Sequence, residues 1–103
     1  MSYVKLKSEY KDLSKYSYYE NIFYCKKDTY IKHNPYGPAI IYKDGAKFYF
    51  IDGNRHRLDG PAAIWPNGCK YYYINNEYLT KKEFKVHPER LKFLGKEYLI
   101  CLK

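Results

Sequence analysis

Apolar positions along this chain fall in short runs, cut at regular intervals by glycine, asparagine, aspartate and proline. AIIY (39–42) and KFYFI (47–51) flank Asp44-Gly45, and AAIW (62–65) and KYYYI (70–74) flank Asn67-Gly68. Short β-branched and aromatic runs on either side of an Asx-Gly pair predict strand, turn and strand, because Asx-Gly supplies the positive φ of a two-residue type I′ turn. Each pair of runs is therefore expected to form a tight antiparallel hairpin. Asp52-Gly53 and Asn75-Asn76 close the second strand of each pair. Gly37-Pro38 and Gly60-Pro61 open the next, with each proline at a strand's first residue, where its missing N–H breaks no ladder bond. The pattern predicts a β-meander.

The two hairpins are copies. HNPYGPAIIYKDGAKFYFIDGNR from His33 recurs as HRLDGPAAIWPNGCKYYYINNEY from His56, with nine identities at a spacing of 23 residues. They are His33/His56, Gly37/Gly60, Pro38/Pro61, Ala39/Ala62, Ile41/Ile64, Gly45/Gly68, Lys47/Lys70, Tyr49/Tyr72 and Ile51/Ile74. A fixed period of this length marks stacked supersecondary units, none of which can bury its apolar face alone. The repeats occupy 33–55 and 56–78 of one domain, and residues 23–32 parallel KFYFIDGNR with two extra residues, as a degenerate earlier hairpin arm. Period-2 alternation puts Phe48, Phe50, Tyr71 and Tyr73 on one face, which is the expected core. Lys47, Tyr49, Lys70 and Tyr72 fall on the other, which the lysines mark as wet.

The flanks are different material. Leu79-Thr80-Lys81-Lys82-Glu83-Phe84 combines a capping box, Thr80 with Glu83, and a hydrophobic staple, Leu79 with Phe84, so a helix should start at Lys81. It should stop near His87, because Pro88 disfavours the α region in the residue before it. Pro88 can open a second helical turn that carries Leu91 and Leu94 and ends at Gly95. Residues 97–102 read as a buried or edge strand, with helix the alternative for so short an apolar run. Residues 1–22 show no clear period, and one strand or partly ordered chain is expected there. The predicted fold class is mainly β, an antiparallel meander of repeated hairpins with a short C-terminal helical segment.

The order of histidine, Asx-Gly turn, aromatic strand and second Asx-Gly-like turn resembles a variant of the MORN repeat family. Closer still, HRLDGPAAIWPNG followed by KYYYINN is similar to the His-Arg-x-Asp-Gly-Pro-Ala hairpin repeats of bacteriophage and giant-virus proteins. The resemblance covers residues 33–79 and departs from the MORN pattern where Leu58-Asp59-Gly60 replaces Gly-x-Gly. It implies an antiparallel β-scaffold for protein or lipid contact rather than a catalyst.

Composition narrows the function classes. No apolar stretch approaches the roughly 18 residues of a membrane span, and no signal-peptide h-region is visible, so a cytoplasmic protein is expected, in the host cytoplasm if viral. Cys25, Cys69 and Cys101 are odd in number and lack C-x-x-C spacing, which fits a reducing compartment better than a disulfide framework. The abundance of Lys, Tyr, Ile and Asn follows AT-rich codons, as in many phage and viral genes. The net charge of +8 divides as +3 over residues 1–32, +1 over 33–79 and +4 over 80–103. The basic surface thus belongs to the flanks, including Lys81, Lys82 and Lys85, and would attract anionic partners. Its simpler role is to keep a Tyr-rich sheet soluble and its edges unpaired.

Four kinds of site chemistry can be weighed. Lys47, Tyr49, Lys70 and Tyr72 form a repeated basic and aromatic row that could stack bases or grip a nucleotide, although cross-strand packing explains it equally simply. His33 and His56, beside Lys32, Arg55 and Arg57, could bind an anion or act in acid/base chemistry, but a residue repeated in every unit more often serves the turn hydrogen bonds. No catalytic constellation can be assembled, no cofactor is implied, and the cysteines and histidines lack zinc-ligand spacing. The leading expectation is a non-enzymatic interaction module, a viral or phage accessory or host-interaction factor of a kind that could inhibit a host defence. It would bind an acidic protein surface through its hairpins and basic flanks. Nucleic-acid or nucleotide binding by the Tyr/Lys row is the alternative.

Overall fold

The structure, a computed structural model, describes residues 2–4 and 12–95. The chain is mainly antiparallel β with a short helical segment after it. Its elements are β1 (Ser2–Val4), β2 (Leu13–Tyr18), β3 (Asn21–Lys26), β4 (Ile40–Ile41), β5 (Lys47–Phe48), β6 (Phe50–Ile51), β7 (Asn54–Arg55), β8 (Ala63–Ile64), β9 (Lys70–Ile74), β10 (Glu77–Leu79), α1 (Lys81–Lys85) and α2 (Pro88–Phe93). One sheet runs β1-β2-β3-β4-β5-β8-β9-β10, and β6 pairs with β7 as a separate ribbon. Sequence neighbours are thus sheet neighbours except where that ribbon is looped out between β5 and β8.

The N-terminal segment departs from expectation. Residues 1–22 supply β1, β2 and the start of β3, with Val4 opposite Lys15 and β2 paired to β3 from Leu13/Lys26 to Tyr18/Asn21. The hairpin was hidden because its turn contains no glycine, yet Tyr19 (φ 48) and Glu20 (φ 65) both take the left-handed conformation. The strand expected at 97–102 lies outside the described residues.

The turns also differ from expectation. Type I′ geometry, with positive φ at both central residues, belongs to Asp52 (φ 51) with Gly53 (φ 82) and to Asn75 (φ 50) with Asn76 (φ 68). At Asp44-Gly45 and Asn67-Gly68 only the glycine is left-handed, with φ 99 and φ 91. There the loop has three residues: Gly45 N–H donates to Tyr42 O and Tyr42 N–H to Ala46 O, and Gly68, Trp65 and Cys69 repeat the pattern. The Asx side chain sets this loop from outside its own backbone. Asp44 Oδ1 accepts from Ala46 N–H at 2.9 Å, and Asn67 Oδ1 accepts from Cys69 N–H at 3.0 Å.

The 23-residue period is carried by hydrogen bonds as well as by residues. Ala39 N–H donates to Phe48 O as Ala62 N–H does to Tyr71 O, and Asn34 N–H to Phe50 O as Arg57 N–H does to Tyr73 O. The degenerate arm joins in. Tyr24 N–H donates to Ala39 O as Tyr49 N–H does to Ala62 O, while His33 and His56 donate to the carbonyls of Tyr24 and Tyr49. Each hairpin therefore docks on the next through the backbone, and only the side chains differ.

Two buried clusters hold the sheet. Ile40, Ala46, Phe48 and Ala63 form one, with Phe23 and Phe50 against it; Ile74, Leu79 and Phe84 form the other, with Leu58 and Tyr72 against it. The register Phe23–Ile40–Phe48–Ala63–Tyr71 puts the first cluster on one face of the sheet. The expected core on that face is only partly closed: Phe48 is buried, Phe50 and Tyr73 are half-buried, and Tyr71 is exposed. The opposite face, expected to be wet, contributes Ile74 and half-buried Tyr72 to the core. The cause is α1. Thr80 Oγ1 accepts from Glu83 N–H at 3.1 Å and Glu83 Oε1 accepts from Thr80 N–H at 2.9 Å, so the helix leaves β10 with Phe84 turned onto Tyr72, ring centroids 4.6 Å apart. α2 follows with His87 as N-cap and Pro88 at its first turn, and Gly95 beyond it has φ 73.

Candidate interaction surface

The face that carries Phe48 presents a ladder of rings. Phe23, Tyr42, Phe48 and Trp65 meet edge to face in succession, with centroids 6.2, 5.6 and 5.2 Å apart and interplanar angles of 88°, 82° and 84°. Such T-shaped contacts satisfy the ring quadrupoles, each adding about 0.5–1.5 kcal/mol beyond area burial. Despite this packing, Trp65 keeps 44% of its surface exposed and Tyr42 36%. Tyr42, Phe48 and Trp65 of this ladder line an open trough of about 810 Å³. Buried Ile40 and Phe48 line it together with exposed Tyr30, Ile31, Tyr42 and Trp65, and so does Arg55. Beyond Trp65 the same face continues through Tyr71, Tyr78 and Tyr73, with the Arg55 guanidinium 5.2 Å from the Tyr73 ring.

The residues singled out from sequence are dispersed. Lys47 and Lys70 flank Ile64 on the opposite face, both exposed. The two tyrosines between them in the pattern are already covered. Tyr49 lies under the Arg57 guanidinium, 4.0 Å from its ring centroid, and Tyr72 stacks on Phe84. Arg57 is itself a strut, with Nε donating to Asp59 Oδ1 at 2.9 Å and Nη1 to Pro61 O at 3.1 Å. Tyr49, His56 and Arg57 border a second cleft, of about 580 Å³, with Phe93 of α2. Lys81, Lys82 and Lys85 are exposed on α1. Of the sequence candidates, Arg55 lines the aromatic trough, together with the Lys32 that stands beside His33.

The histidines serve the stacking of hairpins. His33 Nδ1 accepts from Asp52 N–H and His56 Nδ1 from Asn75 N–H, each at 2.9 Å, while Gly53 and Asn76 donate to the carbonyls of Lys32 and Arg55. Both N–H groups of each type I′ turn are thereby held by the hairpin before it. Burial holds the His56 pKa down. The Lys26 ammonium, hydrogen-bonded to Asp52 at 2.8 Å, holds that carboxyl below its ordinary value. Burial pushes the Cys25 thiol up against the pull of Lys32, which disfavours a nucleophilic thiolate. Among the described residues no group of three or more His, Cys, Asp or Glu side chains could hold a metal ion.

Tyr42 and Trp65 went unnoticed in the sequence although a signal was there. They are equivalent repeat positions, each the aromatic residue before its Asx-Gly turn (YKDG and WPNG). No protein-family model matches the chain, and neither a curated protein nor a solved structure does.

Proposed function

We propose that this chain is a non-enzymatic interaction module, an accessory or host-interaction protein of the phage or viral kind, which binds a protein partner with its aromatic sheet face. The observation that carries the reading is the trough: an aromatic face of the sheet left half-open, with Trp65 and Tyr42 standing out of it, is the type of surface on which protein contacts concentrate. The basic flanks would raise the encounter rate with an acidic surface without supplying the specific contacts. Base stacking on Tyr49 and Tyr72 has less support, because both rings are already engaged by Arg57 and Phe84.

The test is recovery of bound molecules from the native host with the full chain and with Trp65→Ser, analysed for protein and for nucleotide in the same sample. An acidic protein retained by the wild type and lost by Trp65→Ser supports the module. Recovery of nucleotide alone, unaffected by Trp65→Ser, overturns it.

A further inference from the structure

The trough has chemical features that specify more than a contact surface. Lys32 and Arg55 both line it and occupy equivalent positions, 23 residues apart. Neither is ion-paired with a carboxylate among the described residues, whereas Lys26, Lys43 and Arg57 each are. The one acid in the lining, Asp44, uses Oδ1 to accept from Ala46 N–H. The lining thus carries two cations against one carboxylate, and its other side chains are mostly apolar or aromatic.

We propose that the trough takes an extended acidic peptide, with apolar side chains seated on Tyr42, Phe48 and Trp65 and carboxylates against Lys32 and Arg55. This deepens the interaction-module reading and rests on it. In a polyproline II chain, with three residues per turn and a rise of about 3.1 Å per residue, positions i and i+3 lie on one side about 9.3 Å apart. Carboxylates at positions i and i+3 of such a chain can face the two cations together, each as a charge-assisted contact. The rings favour side chains over bases. Tyr42 and Trp65 both stand nearly perpendicular to Phe48, at 82° and 84°, so neighbouring rings of the ladder do not present the parallel faces on which successive bases stack. At about 810 Å³ the space is within the range of about 300–1,000 Å³ typical of ligand clefts.

The experiment is fluorescence anisotropy on the full chain with a dye-labelled peptide of repeated Glu-Leu-Pro triplets, against its Gln-Leu-Pro counterpart. The acidic peptide should bind about tenfold or more tightly than the neutral one. Trp65→Ser and Tyr42→Ser, checked for folding by circular dichroism, should each weaken it about tenfold. Arg55→Gln should weaken the acidic peptide and leave the neutral one unchanged, and Lys70→Gln, on the opposite face, should change neither. Equal binding of the two peptides overturns the proposal. So does an oligothymidylate that displaces the peptide and is itself weakened by Trp65→Ser, which assigns the trough to nucleic acid. If no peptide binds while Trp65→Ser still abolishes capture of a protein partner, the acidic-peptide proposal fails and the module reading stands.

Discussion

His56 Nδ1 accepts a hydrogen bond from Asn75 N–H at 2.9 Å across nineteen residues, and so ties one hairpin to the turn of the next. His33 makes the same bond to Asp52. An accepting Nδ1 must be unprotonated, so each link needs its imidazole neutral. The recurrence of histidine at the start of each unit is therefore explained by stacking geometry, with no catalytic role required.

Replacing His56 by Ala should destabilise the protein by about 1 kcal/mol, since it leaves Asn75 N–H without its acceptor. The pH response follows from the sign of the shift. Burial is the largest influence and depresses the His56 pKa; Glu89 raises it and His87 lowers it further. A depressed folded value means that the unfolded chain takes up the proton first. The stability from His56 is then fully present above about pH 6.5 and is lost as pH falls through the folded pKa. Urea midpoints measured from about pH 8 to about pH 5 should fall less steeply for His56→Ala than for the wild type. Parallel slopes would show that this imidazole does not carry the acid sensitivity.

Gly45→Val and Gly68→Val should each cost about 1 kcal/mol or more, because a β-branched residue resists the φ of 99° and 91° found there. No heavy atom outside the immediate chain neighbours lies within 4 Å of where either Cβ would stand, so the cost is conformational and not steric. Ala should therefore cost less than Val at both sites. Equal denaturant midpoints for wild type and the Val variants would exclude a left-handed glycine in these loops.

The meander and the helix start were legible because they depend on local chemistry. Asx-Gly pairs, prolines at strand entries and the Thr80/Glu83 box each act within a few residues. The turn type was less so: Asp44 keeps a negative φ because its carboxylate reaches Ala46 N–H, a choice that Asx-Gly alone does not reveal. Alternation says which residues share a face and not what covers it, so it does not tell the dry face of this sheet from the wet one. Phe84 arrives from α1 to cover Tyr72 and Ile74, and no described element arrives over Tyr71. The trough escaped notice for the same reason. Tyr42 and Arg55 lie thirteen residues apart in sequence and meet at one trough only through the looping out of β6 and β7.

Phe84→Ala should cost about 3–5 kcal/mol, as a buried aromatic removed from a packed cluster. It would also uncover Tyr72. If α1 is what makes that face dry, Phe84→Ala should increase hydrogen exchange at Leu79 and Ile74 while leaving Phe48 unaffected. Uniform loss of protection across both clusters would mean that the sheet opens as one unit.

Gly37 and Gly60 hold the same repeat position, yet alanine should have opposite effects at the two. At Gly37 a Cβ would have only Asn34 Nδ2 nearby, at 4.0 Å, an ordinary contact; at Gly60 it would lie 2.9 Å from Arg57 Cζ. Neither glycine has a positive φ, so neither backbone lies in the left-handed region that disfavours alanine. Gly37→Ala should therefore stabilise by about 0.4–1 kcal/mol through the unfolded chain. Gly60→Ala must instead move a guanidinium that is held from three sides: by Asp59 at 2.9 Å, by Pro61 O at 3.1 Å and by the Tyr49 ring at 4.0 Å. Losing the ring contact alone costs about 0.5–1 kcal/mol, and the bond to Pro61 O adds a similar amount. The net effect should be destabilisation, and it should vanish in an Arg57→Ala background, where the clash is absent. A double-mutant cycle read by denaturant midpoints measures this directly. A Gly60→Ala penalty that persists without Arg57 would place its cause in the backbone and remove Arg57 as the strut of the second repeat.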